Sequence, residues 1–169
     1  MFGHISSNTE HHWSAPNKHF IAAAGEFVGT FLFLLTGYLI HAMSVGFAPE
    51  SATGGGNTNQ TVVFIAIGYG FSLLVAAWVL YRVSGGLFNP AITLGLVLTG
   101  NLTPLHGLIF LPTQMLGAIS AAAVVSVIIP VDIKLVETTL APNMNIAQGL
   151  FLEMVRLTLS TYPSHTHSY

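Results

Sequence analysis

The chain has 169 residues, of which 52% are hydrophobic and only 6% are charged. Soluble domains carry about 25% charged residues, so this composition excludes most cytosolic enzymes and disordered proteins. The chain has four basic residues and no cysteine, which excludes a phosphate-tracking surface for nucleic acid, a disulfide framework and a thiolate metal site.

The first predicted element is a polar tail, residues 1–19, which lacks the basic start and cleavage site of a signal peptide. A membrane span is predicted at 20–43, where Glu26 is the one acidic residue and no Lys or Arg occurs. At about 1.5 Å per residue this segment is long enough to cross a bilayer with some tilt. Gly25 and Gly29 form a small-residue pair that favours close helix packing.

Two further spans are predicted at 61–81 and 105–129, both free of Asp, Glu, Lys and Arg. A partial helix follows at 146–159, but its apolar run is marginal for crossing a bilayer. Residues 160–169 form a polar C-terminal tail. The pattern predicts an integral, multi-pass membrane protein built from helices.

The basic residues predict an orientation for these spans. Lys18 precedes the first span and Arg82 follows the second, whereas the loop 44–60 has no Lys or Arg. Cytoplasmic loops are enriched in Lys and Arg, so we expect both basic flanks to be cytoplasmic and the loop 44–60 to lie outside.

The segment after the second span contains the most informative motif, Asn89-Pro90-Ala91. Asn is a strong N-cap residue, and Pro suits the first helical position because its missing N–H would have no partner there. The helix predicted at 90–99 covers only about half a bilayer at about 1.5 Å per residue. A short apolar helix between two spans predicts a re-entrant half-helix, and the alternative is an ordinary capped helix in a surface loop.

The candidates for pore-lining backbone are three residues that precede the half-helix, namely Gly85, Gly86 and Leu87. Non-helical backbone at membrane depth is tolerated only where protein buries it or where it lines a wet cavity. We therefore expect their carbonyl oxygens to accept hydrogen bonds from water. The positive N-terminal end of the half-helix would disfavour cations there.

The run from Ser84 to Gly95, Ser-Gly-Gly-Leu-Phe-Asn-Pro-Ala-Ile-Thr-Leu-Gly, closely resembles the first signature of the aquaporin (major intrinsic protein) family. Further matches occur in family order. They are Gly-Glu-Phe from Gly25, Gln-x-x-Gly-Ala from Gln114 and Gly-Leu-Phe-Leu-Glu-Met from Gly149. The resemblance covers roughly residues 20–154 and is greatest to fungal members.

The resemblance implies an all-α membrane fold, an aquaporin-like right-handed helical bundle over residues 20–159. The bundle would be incomplete, with three spans, one half-helix and a partial fourth helix. It implies that Asn89, Pro90 and Ala91 form the pore motif. It also implies that Tyr69 is an aromatic residue of the selectivity constriction, although Tyr69 could instead pack against lipid or the core.

The resemblance further implies that three polar residues brace the re-entrant backbone: Glu26, Gln114 and Glu153. Independently of the family, a lone carboxylate in an apolar span is costly unless it faces the interior and finds donors. The alternative for Glu26 is a side chain that extends to the membrane interface.

The sequence departs from the family after Met154. The second Asn-Pro-Ala motif, the fifth and sixth spans and the family's filter His and Arg are not present in it. We therefore expect a chain truncated after about the first half of the family's inverted repeat.

The expected function is a channel for passive transport of water, or of glycerol and other small neutral solutes, across the plasma membrane. The alternatives are a non-conducting fragment that associates with full-length aquaporins, or an inactive product. The sequence predicts no enzyme activity, no cofactor, no metal site and no nucleic-acid partner. The expected partners are the permeating solute, the lipid bilayer and other subunits, because the family forms tetramers.

Overall fold

A computed structural model of the chain describes residues 15–46, 59–130, 132–140 and 143–161. In these segments the backbone forms helices and no strand. The helices are α1 Ala15–Gly46, α2 Asn59–Ser84, α3 Pro90–Leu98, α4 Pro104–Ile128 and α5 Ile146–Thr161, with a 3-10 helix at Ile133–Val136. The all-α prediction is confirmed for this part of the chain. Residues 1–14 and 162–169 of the predicted tails lie outside it.

Three of the helices, α1, α2 and α4, are long and apolar enough to cross a membrane. Both α1 and α2 extend beyond the spans predicted at 20–43 and 61–81, because helical hydrogen bonding continues from the apolar stretch into its polar flanks. In contrast, α3 ends at Leu98, one residue short of its predicted end. There Thr99 caps the helix and Gly100, with φ of 79°, reverses the chain.

The central helix of the bundle is α1, which packs against α2 on one side and α4 on another. The close approach of α4 depends on Gly117. A Cβ atom there would lie 2.8 Å from the carbonyl oxygen of Phe27 in α1. This small-residue contact is the kind that brings helix backbones together in membranes.

The start of α1, the end of α2 and the start of α4 lie at the same end of the bundle. Gly25 of α1 faces Ser84, the last residue of α2. The rings of His19 in α1 and His106 in α4 have centroids 4.7 Å apart. The connection from α2 to α4, which contains α3, therefore begins and ends at this one end of the bundle.

The buried part of the bundle is small compared with its exposed apolar surface. Ala42, Val125 and Ile129 form a buried cluster between α1 and the end of α4. On α2, by contrast, Trp78 is 83% exposed and Val79 is 68% exposed. Apolar surface of this extent fits lipid as the surrounding solvent.

Candidate functional site

The connection that contains the short helix α3 enters the bundle from one end and returns to the same end. Its preceding segment is bound by Glu26, which lies well inside the candidate span Asn17–Gly46. On α4, Thr93 of α3 contacts Gln114, whereas Val97 of α3 contacts Gly107, nearer the start of α4. The N-terminus of α3 is thus deep, its C-terminus is near the bundle end, and its nine residues cover about 14 Å.

The segment that precedes α3 folds tightly because its backbone adopts left-handed conformations. Gly85 and Gly86 have φ of 95° and 67°, which glycine adopts without a steric penalty. Phe88 has φ of 45°, which is uncommon for a side chain of its size. Its buried ring offsets this strain by packing on Gly29, where any Cβ atom would overlap the ring.

The N-terminus of α3 is capped by the predicted motif. Asn89 has an extended backbone, with φ of −144° and ψ of 119°, and its Oδ1 accepts a hydrogen bond of 2.9 Å from the amide of Ala91. Pro90 occupies the first helical turn. The cap uses only the oxygen of the Asn89 amide, and no described residue accepts a hydrogen bond from its Nδ2. That donor group is therefore available to a solute.

A buried polar network fixes this segment to α1 and α4. The Glu26 carboxylate accepts hydrogen bonds from the amides of Leu87 at 3.1 Å and Phe88 at 2.8 Å. The Gln114 side chain donates to Glu26 at 2.8 Å and to the Thr93 hydroxyl at 2.9 Å. That hydroxyl lies 3.0 Å from the Asn89 carbonyl and can donate its one proton to it. Every polar side chain in the network has partners, as buried polar groups require.

The backbone groups of this segment are satisfied unequally. The amides of Gly85, Gly86 and Leu87 all donate within the protein, to Tyr81, Ser84 and Glu26 in turn. No described residue donates to the carbonyl oxygens of Gly85, Gly86 or Leu87. The segment therefore leaves acceptors, and not donors, for an incoming molecule.

Asn89 and Pro90 line a cavity of about 970 Å³ that also reaches Tyr69. This cavity brings together two of the predicted site features, the pore motif and the aromatic residue. The cavity is also lined by side chains that no sequence motif indicates, among them Phe33, Tyr38, His41, Lys134 and Glu137. Of these, His41 could have been found, because an ionisable residue within an apolar span is a functional candidate by default.

The cavity is lined partly by aromatic side chains. The Tyr69 ring packs edge-on to Phe33, with centroids 6.2 Å apart, and edge-on to His41, with centroids 6.0 Å apart. The Tyr69 hydroxyl lies 3.4 Å from His41 Nδ1, at the long limit of a hydrogen bond. These contacts orient the Tyr69 ring from α1.

One predicted bracing residue lies apart from the network. Glu153 is exposed on α5, and among the described helices α5 contacts α3 but not α1. The structure thus brings Glu26 and Gln114 together and places Glu153 elsewhere. The bracing role of Glu153 stays a prediction.

Among the described residues, no group of three or more His, Cys, Asp or Glu side chains could hold a metal ion. The arrangement is instead the Asn89 amide donor at the wall of a cavity, with three unbonded carbonyl oxygens in the segment before it. Such groups can bind and release a neutral, hydrogen-bonding molecule without a chemical step. Gly85, Gly86 and Leu87 are not among the residues that line this cavity, so their role as pore-lining backbone stays a prediction.

Comparison with known proteins identifies one family. The family model for the major intrinsic protein matches residues 12–163. The chain is 50% identical over 143 residues to "Probable aquaporin-3" of Gibberella zeae, an alignment that covers 85% of this chain. It is also 40% identical over 145 residues to Aquaporin-1 of the same fungus, with 84% of this chain covered.

A third relative is Aquaporin-2 of Botryotinia fuckeliana, 46% identical over 139 residues that make up 81% of this chain. The alignments cover 50%, 45% and 37% of the three relatives in turn. The chain therefore spans about half or less of the length of the curated relatives it matches.

Proposed function

The chain belongs to the major intrinsic protein family, and from this premise we propose that its Asn89 site forms part of a pore for passive flow of water. Members of the family are membrane channels and not enzymes. Tyr69 lines the cavity with a bulky ring, and the size of that ring favours water over glycerol. Other small neutral solutes are the next candidates.

The observation that carries the proposal is the position of the Asn89 amide. It lies at the deep end of α3, faces the cavity, and has a donor group that no described residue uses. A water molecule there can accept from Asn89 Nδ2, and in the proposed pore the carbonyl oxygens of the preceding segment accept hydrogen bonds from the neighbouring waters. In the same place the positive end of the α3 dipole disfavours cations, including hydronium.

The bracing network makes this site rigid. Glu26 binds the amides of Leu87 and Phe88, so the carbonyl oxygens that precede each of them are held in fixed positions. A fixed row of acceptors can replace the hydrogen bonds that water loses on entry. The proposed pore therefore depends on Glu26 although that side chain is fully buried.

Stopped-flow swelling of vesicles that contain only this chain tests the proposal. We expect water flux above that of empty vesicles, and a severalfold fall in Asn89→Asp, which keeps the capping oxygen and loses the donor. The matched control is Asn101→Asp, an exposed position beyond the other end of α3. Flux equal to that of empty vesicles, or equal in the two variants, would contradict the proposal.

A second candidate function is association with longer members of the family without conduction. It is favoured by the exposed apolar face of α2, where Trp78 and Val79 are largely exposed. Co-expression with a full-length fungal relative, followed by purification through a tag on the relative, tests it. Co-purification, together with no water flux above background in vesicles that contain only this chain, would favour this candidate over the channel.

We also propose a plasma-membrane location and assembly into oligomers, which the family suggests as tetramers. Membrane fractionation tests the location. Cross-linking in native membranes tests the assembly, for which we expect bands at multiples of the 18.0 kDa chain mass.

A further inference from the structure

The position of the Tyr69 ring depends on Gly37 of α1. A Cβ atom at residue 37 would lie 2.6 Å from Cε1 and 2.7 Å from Cδ1 of the ring. Real Cβ atoms do not approach other carbon atoms so closely, so any side chain at this position would displace the ring. The Tyr69 ring therefore packs directly against Gly37 and can do so only because this residue has no side chain.

The hydroxyl end of Tyr69 depends on a second residue of α1. His41 lies one helical turn beyond Gly37, its Nδ1 is 3.4 Å from the Tyr69 oxygen, and the two rings are inclined at 79°. His41 and Tyr69 line the same cavity as Asn89. A solute that reaches Tyr69 therefore meets a hydroxyl whose hydrogen bonding is shared with His41.

We propose that α1, through Gly37 and His41, sets the width and the hydrogen-bonding face of the constriction at Tyr69. In this view His41 is a positioning residue that decides which small neutral solutes pass, and hydroxylated solutes are the class it discriminates. The inference deepens the proposed channel function and rests on it. The contact between His41 and Tyr69 can nevertheless be measured whether or not the chain conducts.

The first arm of the test follows the Tyr69 ring directly. The full chain, with 3-fluorotyrosine at position 69 only, is placed in lipid nanodiscs and its fluorine resonance is recorded. We expect His41→Phe, which keeps a ring but loses the nitrogen, and Gly37→Ala to shift this resonance. His41→Gln, which restores a hydrogen-bonding group, should return it toward the wild-type position. The control is His106→Phe, a histidine of α4 that is not among the cavity residues.

The second arm measures glycerol and water flux in vesicles that hold each variant. His41→Phe frees the Tyr69 hydroxyl for solutes and should raise the glycerol-to-water ratio about threefold to tenfold, which matches the net effect of one hydrogen bond. Gly37→Ala drives the ring into the cavity and should lower the ratio. A purely structural role would lower both fluxes together and leave the ratio unchanged.

The two measurements test the role of α1 separately from the proposed channel function. Shifted resonances with opposite changes of the flux ratio support the proposal. An unmoved resonance in His41→Phe and Gly37→Ala, or an unchanged ratio in a conducting chain, would overturn it. A wild-type chain that conducts no water would contradict the proposed function. The fluorine resonance alone would then decide whether α1 positions Tyr69.

Discussion

At the scale of single residues, the site depends on a few side chains that hold irregular backbone within a span. Glu26, Gln114 and Thr93 are all fully buried and are bonded to one another or to the segment before α3. Removal of one partner leaves another polar group buried without a bond, which costs about 1–3 kcal/mol.

Glu26→Gln tests the most connected of these residues. The amide keeps one acceptor oxygen but turns a donor toward the donors of Leu87, Phe88 or Gln114. We expect a loss of about 1.5–3 kcal/mol in the free energy of unfolding, the range for a hydrogen bond to a charged group. Chemical denaturation in detergent measures it, with exposed Glu137→Gln as the control. Equal stability of the two variants would show that the carboxylate does not brace the segment.

Gly29→Ala tests the packing of the Phe88 ring against residue 29. Because its Cβ atom would overlap the Phe88 ring, we expect a destabilisation of about 1–3 kcal/mol, the usual cost of overpacking. Phe88→Leu in the same chain should recover part of it. Gly70→Ala is the matched control, since no atom lies within 4 Å of a Cβ atom there. A Gly29→Ala chain as stable as the Gly70→Ala chain would refute the packing argument.

At the scale of elements, sequence analysis predicted the long helices well because apolar composition alone specifies a membrane span. It also predicted α3, because Asn89 and Pro90 specify a helix start through local hydrogen bonding and a fixed φ. It could not predict the left-handed Phe88. That conformation is accompanied by contacts with residues remote in sequence, the packing of its ring on Gly29 and the bond from its amide to Glu26, and not by any local preference.

The attachment of α3 to α4 yields a prediction for Thr93→Val. This change removes the hydroxyl that links Gln114 to the Asn89 carbonyl, so α3 should open more often. We expect faster hydrogen–deuterium exchange in peptides that cover α3, by about tenfold for a loss near 1.4 kcal/mol. Thr139→Val, at an exposed position between the 3-10 helix and α5, is the control and should leave the exchange of that peptide unchanged.

At the scale of the whole molecule, the cavity joins residues from α1, α2 and the segment before α3 with the loop around Lys134 and Glu137. The family resemblance implied a role for Tyr69 and a role for Asn89, but not that the two residues line one cavity. It did not supply His41 or the loop residues, because their approach depends on how three helices pack. The motif thus specified where α3 begins, whereas the lining of the cavity required the fold.

The most direct test of the central claim is the sidedness of α3 in the membrane. The chain has no cysteine, so Arg82→Cys, Asn101→Cys and Asn59→Cys can each be labelled alone with a membrane-impermeant maleimide. We expect positions 82 and 101 to react from one side of the membrane, the cytoplasmic side, and position 59 to react from the other. Labelling of position 101 on the same side as position 59 would mean that the segment crosses the bilayer, and would contradict a re-entrant α3 with Asn89 at its deep end.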